Sequence, residues 1–182
     1  MELTEKTIKS EKIFEGNIIK VRVDTVELPD GSESTREIVE HPGGVAVIAI
    51  DENEDVLMVR QYRKPFDKVC FEVPAGKLDA GEETLNCGVR ELEEETGMKA
   101  DNIEYLGKFM LSPGFCREWI YIYLATGLKQ GTVNLDEGEF VEVEKHKLSD
   151  LVDMVMDNSI KDAKTVMGIL KANEYLRRKG DK

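Results

Sequence analysis

Gly76-Lys77-Leu78-Asp79-Ala80-Gly81-Glu82-Glu83-Thr84-Leu85-Asn86-Cys87-Gly88-Val89-Arg90-Glu91-Leu92-Glu93-Glu94-Glu95-Thr96-Gly97-Met98 is the stretch on which the reading of this chain turns. Its second part predicts a helix over 83–96, closed by Gly97 at the C′ position. Leu85, Val89 and Leu92 recur at spacings of four and three and are expected to form the core stripe. Glu91 and Glu95, four apart, share the other face one turn from each other, and Glu94 borders it. Like charges at that spacing cost a bare helix roughly 0.2–0.5 kcal/mol per pair, so the cluster calls for a cation. Arg90 stands four before Glu94 and can pair with it. Glu82 precedes the helix, where its charge suits the N-terminal dipole. Gly76 and Gly81 let the preceding loop turn tightly and bring backbone carbonyls toward the carboxylates.

The rest of the composition narrows which cation. Only two histidines, His41 and His146, are present among 182 residues. Three cysteines, Cys70, Cys87 and Cys116, are odd in number and have no CxxC spacing, so they read as reduced and non-ligating. Carboxylate oxygens must then supply the ligands, and oxygen ligands select hard ions such as Mg²⁺ or Mn²⁺. A carboxylate-bound divalent ion on a helix points to chemistry at phosphate. The net charge of −12 argues against binding nucleic-acid backbones. The apolar run Val45–Ile50 is far short of the roughly 20 residues a membrane helix needs. The opening Met1-Glu2-Leu3-Thr4-Glu5-Lys6 has no apolar core of a signal peptide, so a cytoplasmic location is expected.

Working outward from the helix, the pattern predicts one main domain and a small appendage. Residues 18–28 alternate, with Ile19, Val21 and Val23 on one side and Lys20, Arg22 and Asp24 on the other, as in a half-buried strand. Pro29-Asp30-Gly31-Ser32 marks a turn, and 34–40 the returning strand. His41-Pro42-Gly43-Gly44 breaks the pattern. Residues 1–42 therefore read as an N-terminal antiparallel β unit too small to stand alone, and 43–182 as the main domain. In that domain 45–50, 56–62, 69–73, 103–110, 119–125 and 141–143 read as strands, the first covered on both faces, and 74–76 opens a loop. Ser149 is the expected N-cap of a helix over 150–156. A last helix over about 162–179 is expected to bury Val166, Ile169, Leu170 and Leu176, with Arg177, Arg178 and Lys179 complementing its C-terminal dipole before Gly180. Interspersed strands and helices give an α/β class with a mixed sheet flanked by helices.

The segment 76–98 resembles the Nudix box, GX5EX7REUXEEXGU with U aliphatic, and matches it at Gly76, Glu82, Arg90, Glu91, Leu92, Glu94, Glu95, Gly97 and Met98. Nine fixed positions make this far more specific than a lone glycine motif. The resemblance implies the Nudix α/β/α sandwich and hydrolysis of a nucleoside diphosphate linked to another group. It implies Glu91 and Glu95 as principal metal ligands, Glu94 as a further one and the Ala75 carbonyl as another. Arg90 and Glu82 would orient partners within the box.

From about Ile13 to Leu170 the chain is similar to the ADP-ribose pyrophosphatase subgroup. The resemblance rests on Pro113 in Ser112-Pro113-Gly114-Phe115, on Val59-Arg60-Gln61-Tyr62-Arg63, on Glu72-Val73-Pro74-Ala75-Gly76-Lys77, and on Arg36–Gly43. It implies cleavage of ADP-ribose to AMP and ribose 5-phosphate, and a homodimer that exchanges its N-terminal units. Arg36 and Glu37 would contact the adenosine and Arg63 a phosphate; Gly76, Ser112, Gly114 and Glu118 would complete the substrate site. A catalytic glutamate is implied in the later loop, where Glu139 fits the pattern and Glu137 is its rival. Arg117 and Trp119 depart from the commoner pattern around Glu118, which leaves the terminal sugar open. The alternatives are a broader nucleoside diphosphate-sugar hydrolase, acting on other ADP-sugars or GDP-mannose, and a non-catalytic ADP-ribose sensor. Intact box carboxylates weigh against the sensor.

Overall fold

The structure, a computed structural model, describes residues 2–180; residue 1 and residues 181–182, the outer limits of the two expected segments, lie outside the described residues. The strands are β1 (Lys6–Glu15), β2 (Lys20–Glu27), β3 (Glu33–Glu40), β4 (Gly44–Ala49), β5 (Asp55–Arg63), β6 (Lys68–Glu72) and β7 (Ala75–Lys77). Helix α1 (Thr84–Thr96) follows, then β8 (Met98–Met110), β9 (Cys116–Arg117), β10 (Trp119–Gln130), β11 (Val141–Lys147), α2 (Leu148–Met156) and α3 (Ala163–Gly180). The chain divides into two compact units: residues through Gly43 with Met110–Trp119, and Gly44–Phe109 with residues from Ile120 onward.

The first unit is a sheet in the order β1-β2-β3-β9. Its first two pairings are antiparallel, and β9 joins β3 in parallel. Two features depart from the sequence pattern. Strand β1 is not foreshadowed, since all ten of its residues are exposed and both faces are mixed in polarity. In β2 the buried residues are Asp24 and Val26, while Val21 and Val23 are only partly covered. Asp24 can be buried because Arg22 Nη2 lies 3.3 Å from its Oδ2.

The second unit holds two sheets, β7-β4-β10-β8 and β11-β5-β6. Strand β4 runs parallel to β10 and antiparallel to β7, so the first sheet is mixed. All six residues of β4 are buried, as a strand covered on both faces requires. Both covers are visible at glycines. A Cβ on Gly88 of α1 would lie 3.1 Å from Val45 and 3.4 Å from Val47, and one on Gly168 of α3 would lie 2.5 Å from Ile48. Side chains alternate along a strand, so α1 and α3 occupy opposite faces of β4, and the layers are helix, sheet, helix. The α/β expectation holds. Among the described residues no helix is long and apolar enough to cross a membrane.

The close seat of α1 overturns its expected core stripe. Leu92 is buried, but Leu85 is 45% and Val89 42% exposed; Cys87, Gly88, Glu95 and Thr96 are buried instead. The helix is rotated so that Gly88 meets the sheet, which carries Glu95 inward. On α3 the buried residues are Thr165, Gly168, Ile169 and Ala172, with Leu170 37% exposed, for the same reason of close approach. Asp162 precedes that helix and its Oδ2 accepts the Thr165 N–H at 3.0 Å, while Gly180 lies within the helix, not after it. Helix α2 starts at Leu148, so Ser149 is its second residue and not its cap. Residues 75–77 form a strand where a loop is expected, because they pair with β4.

Candidate active site

The pairing of β7 with β4 sets Ala46 opposite Ala75 and Val45 opposite Gly76. Helix α1 packs on the same two strands. Glu91 and Glu95 therefore point at the Ala75-Gly76 backbone. A Cβ on Gly76 would fall 1.8 Å from the Glu91 carboxylate, so only glycine admits that approach. The Ala75 N–H donates to Glu95 Oε2 at 3.0 Å.

Burial dominates the electrostatics of this pair. Glu95 is 3% exposed. Its desolvation, added to the charges of Glu91 and Glu139 and only partly offset by the Ala75 N–H and Arg63, pushes its pKa up to about 8. Burial also raises Glu91, to about 6, against the pull of Arg90 and with the charges of Glu94 and Glu139 adding to the rise.

Arg90 is the hub on the outer side. Its Nε and Nη2 reach the two Glu82 oxygens at 3.0 Å each, and its Nη1 reaches Glu91 at 2.8 Å and Glu94 at 2.9 Å. This fork holds Glu82 down at about 2. Cys87 lies beneath; burial and the nearby Glu82 and Glu91 push its thiol up to about 12, so it is no nucleophile. Among the described residues no three His, Cys, Asp or Glu side chains are gathered closely enough to cage an ion as they stand. Arg90 draws Glu91 and Glu94 aside, and Glu95 turns to the Ala75 N–H. The donor set nevertheless fits a hard divalent ion: all of it is oxygen, Glu95, the most buried of it, accepts from a backbone N–H and not from a cation, and Glu91 and Glu94 share Arg90 with Glu82.

Glu139 joins this group. It is half-buried, Gln61 Nε2 donates to its Oε1 at 2.8 Å, and its charge acts on both Glu91 and Glu95. Its rival Glu137 is exposed. Arg63 is not a free cation: it forks onto Glu72 at 2.8 and 2.7 Å. Lys164 also binds Glu72, and sits 3.0 Å from Asp162. The expected sites gave no role to Gln61, Glu72 or Lys164. The first two lie inside quoted tracts; Lys164 carries no local signal.

In the N-terminal unit, Arg36, Glu37, Gly114 and Glu118 line one cavity of about 570 Å³, together with Phe115 and Trp119. Arg36 forks onto Glu5 at 2.9 and 2.5 Å. His41 Nδ1 lies 3.5 Å from Glu118. Ser112 acts through its backbone, its carbonyl accepting the N–H groups of Phe115 at 3.2 Å and Cys116 at 2.9 Å, which shapes the turn that carries Gly114.

Known proteins resemble this chain over most of its length. The NUDIX domain matches residues 40–167, and the nucleoside diphosphate sugar hydrolase N-terminal domain matches residues 5–39. The chain is 48% identical over 179 residues to the methanol dehydrogenase activator of Bacillus methanolicus, covering 96% of this chain and 97% of that one. It is 45% identical over 179 residues to the ADP-ribose pyrophosphatase of Bacillus subtilis, covering 97% and 95%. The crystal structure of an ADP compounds hydrolase superposes with a TM-score of 0.87 at 21% identity, covering 99% of this chain and 98% of that one, a likeness of fold. The domain match spans most of the chain and includes every carboxylate gathered around Gly76, and on that ground the chain belongs to the Nudix hydrolase family.

Proposed function

We propose that this enzyme hydrolyses the pyrophosphate bond of ADP-ribose to AMP and ribose 5-phosphate, with Mg²⁺ as its working cation and Mn²⁺ as a substitute. The observation that carries the reading is the pair formed by half-buried Glu91, which shares Arg90 with Glu94 and Glu82, and buried Glu95, both held against the Ala75-Gly76 backbone. Nudix hydrolases use divalent metals, and the full-length relative at 45% identity supports the substrate. Glu91, Glu94 and Glu95, with the Ala75 carbonyl, would hold the ion. When bound, it neutralises pyrophosphate oxygens and stabilises the charge left on the departing phosphate.

The chain's own groups do the rest. A water oxygen bonds to one phosphorus, the bridging P–O bond breaks, and the water proton passes to the Glu139 carboxylate. A base outside the box suits the chemistry, because metal-bound carboxylates are poorly basic. Arg90 and Glu82 brace the outer carboxylates. Arg63, steadied by Glu72, meets a phosphate, with Gly76 leaving room beside the pair. Arg36, Glu37, Gly114 and Glu118, supported by the cavity they share, and Ser112, through the turn its carbonyl shapes, belong to the substrate-binding part of the reading. So do a homodimer, supported by an N-terminal strand whose ten residues are all exposed, and a cytoplasmic location, supported by three free cysteines.

Purified protein with Mg²⁺ and ADP-ribose is expected to release AMP. Failure to do so, with other ADP-sugars or GDP-mannose cleaved well, would transfer the assignment to the broader nucleoside diphosphate-sugar class that the N-terminal match supports. A second reading, favoured by the 48% relative, is that the protein also stimulates a dehydrogenase. Adding it to a methanol dehydrogenase and following the rate of methanol oxidation decides that reading; an unchanged rate removes it.

A further inference from the structure

Glu139 sits in the loop 131–140, which the chain fastens at its start. The Gly131 N–H donates to the Gly97 carbonyl at 2.7 Å and the Asn134 N–H to the Glu94 carbonyl at 3.1 Å, so the loop leaves β10 fastened against the C-terminal end of α1. Near its end, Gly138 at φ 83 lets the backbone reverse, and the Glu139 N–H closes the turn on the Asp136 carbonyl at 3.0 Å. These bonds hold the backbone and leave the carboxylate to rotate. Within the loop the carboxylate receives a long contact, 3.4 Å, from the Asp136 N–H. The short one, 2.8 Å, comes from Gln61 across 78 residues of sequence.

Gln61 is suited to the task. It stands in β5 between Cys70 of β6 and Val141 of β11, so its backbone is fixed in the middle strand of a three-stranded sheet. An ionised carboxylate only accepts hydrogen bonds, so the Gln61 amide must turn its NH₂ toward it, and the amide carries no charge that would neutralise a base. A group on a strand holds geometry better than one on a loop.

We infer that Gln61 is a positioning residue for the reaction, its side-chain amide latching the Glu139 carboxylate toward Glu91 and Glu95. The latch rests on the reading of Glu139 as the base, and it adds what that reading lacks, a reason for a loop carboxylate to be aimed.

The test is a double-mutant cycle in kcat, joined to hydrogen exchange on the cation-free protein. Gln61→Leu keeps the size and removes the donor; Gln61→Glu sets an acceptor against an acceptor. Both are expected to lower kcat on the order of tenfold or more, with KM within about twofold, as loss of a supporting contact does. In a Glu139→Ala background, Gln61→Leu should change kcat by less than about twofold. The Asp136 amide, whose N–H is bonded to the Glu139 carboxylate, should exchange faster in Gln61→Leu. An equal loss of kcat in the Glu139→Ala background, an undiminished kcat in Gln61→Leu, or unchanged exchange in the loop would each overturn the latch. If Glu139→Ala itself keeps full kcat, the base assignment falls and the latch with it. If Glu139→Ala is slow and Gln61→Leu is not, the latch alone falls.

Discussion

Glu72 and Glu95 are about equally buried, at 2% and 3% exposure, yet their acidities move in opposite directions. Burial raises both. At Glu72, Arg63 and Lys164 more than cancel it and hold the carboxyl at about 2. At Glu95 a single N–H and the more distant Arg63 do not, neighbouring carboxylates add to the rise, and the group ends at about 8. One cluster is electrostatically complete and holds Arg63 in place. The other is left short of positive charge, as a site that must take up a cation would be. The two lie at opposite ends of one short tract, Glu72-Val73-Pro74-Ala75, so completing the first also steadies the backbone that presents the second.

The sharpest way to break the contrast is Glu95→Gln. An amide keeps the shape but binds a divalent ion poorly. Turnover of ADP-ribose at saturating Mg²⁺ is expected to fall on the order of 1,000-fold, about 4 kcal/mol of barrier, with the circular dichroism spectrum unchanged. A near-normal rate would remove Glu95 from the site.

Glu72→Gln should do the reverse, costing stability first. It leaves Arg63 and Lys164 without their shared carboxylate. Removing one partner of a buried pair costs about 3–5 kcal/mol, and the lower end applies because the Arg63 side chain is 38% exposed. Urea unfolding of the two proteins at pH 7 measures it; equal midpoints would show that the network contributes nothing.

The same pair fixes a pH dependence. The folded pKa of Glu72, about 2, lies below its ordinary value of 4.5, so in that range the unfolded chain binds more protons. The contribution, about 3 kcal/mol, is fully present above pH 4.5 and is lost as pH falls toward 2. The stability gap between wild type and Glu72→Gln should therefore be constant from pH 7 to 5 and shrink below 4.5. A gap that persisted unchanged at pH 3 would show that it does not come from the charge.

How much of this was legible differs between the two clusters for a physical reason. Glu91, Glu94, Glu95 and Arg90 lie within one helix, so spacing alone brings them together, and Gly76 precedes them at a fixed distance. The Glu72–Lys164 pair spans 92 residues and Gln61–Glu139 spans 78, and no local pattern announces contacts made by folding. On α1, apolar spacing selects Leu85 and Val89, whereas close packing selects Gly88, which hydrophobicity does not mark. Strand β1 leaves no trace in the pattern because a strand exposed on both faces has no polarity to alternate. Strand β4 is legible because two covered faces leave an unbroken apolar run.

A third carboxylate, depressed like Glu72, sets the lower bound of the comparison. Glu174 accepts from Arg177 at 2.9 Å and from Arg178 at 2.6 Å on the surface of α3, and these bonds bring it to about 2, as low as Glu72. The direction and its cause are the same, but water surrounds this cluster. Solvent screens the attraction, and holding three long side chains in one arrangement costs entropy that offsets the gain. Glu174→Gln is accordingly expected to leave the urea midpoint unmoved within error at 0.15 M salt, and to shift it slightly downward only at low ionic strength, where screening weakens. A loss at physiological salt comparable to that of Glu72→Gln would mean that burial is not what separates a structural ion pair from an ornamental one, and the contrast between Glu72 and Glu95 would then need another cause.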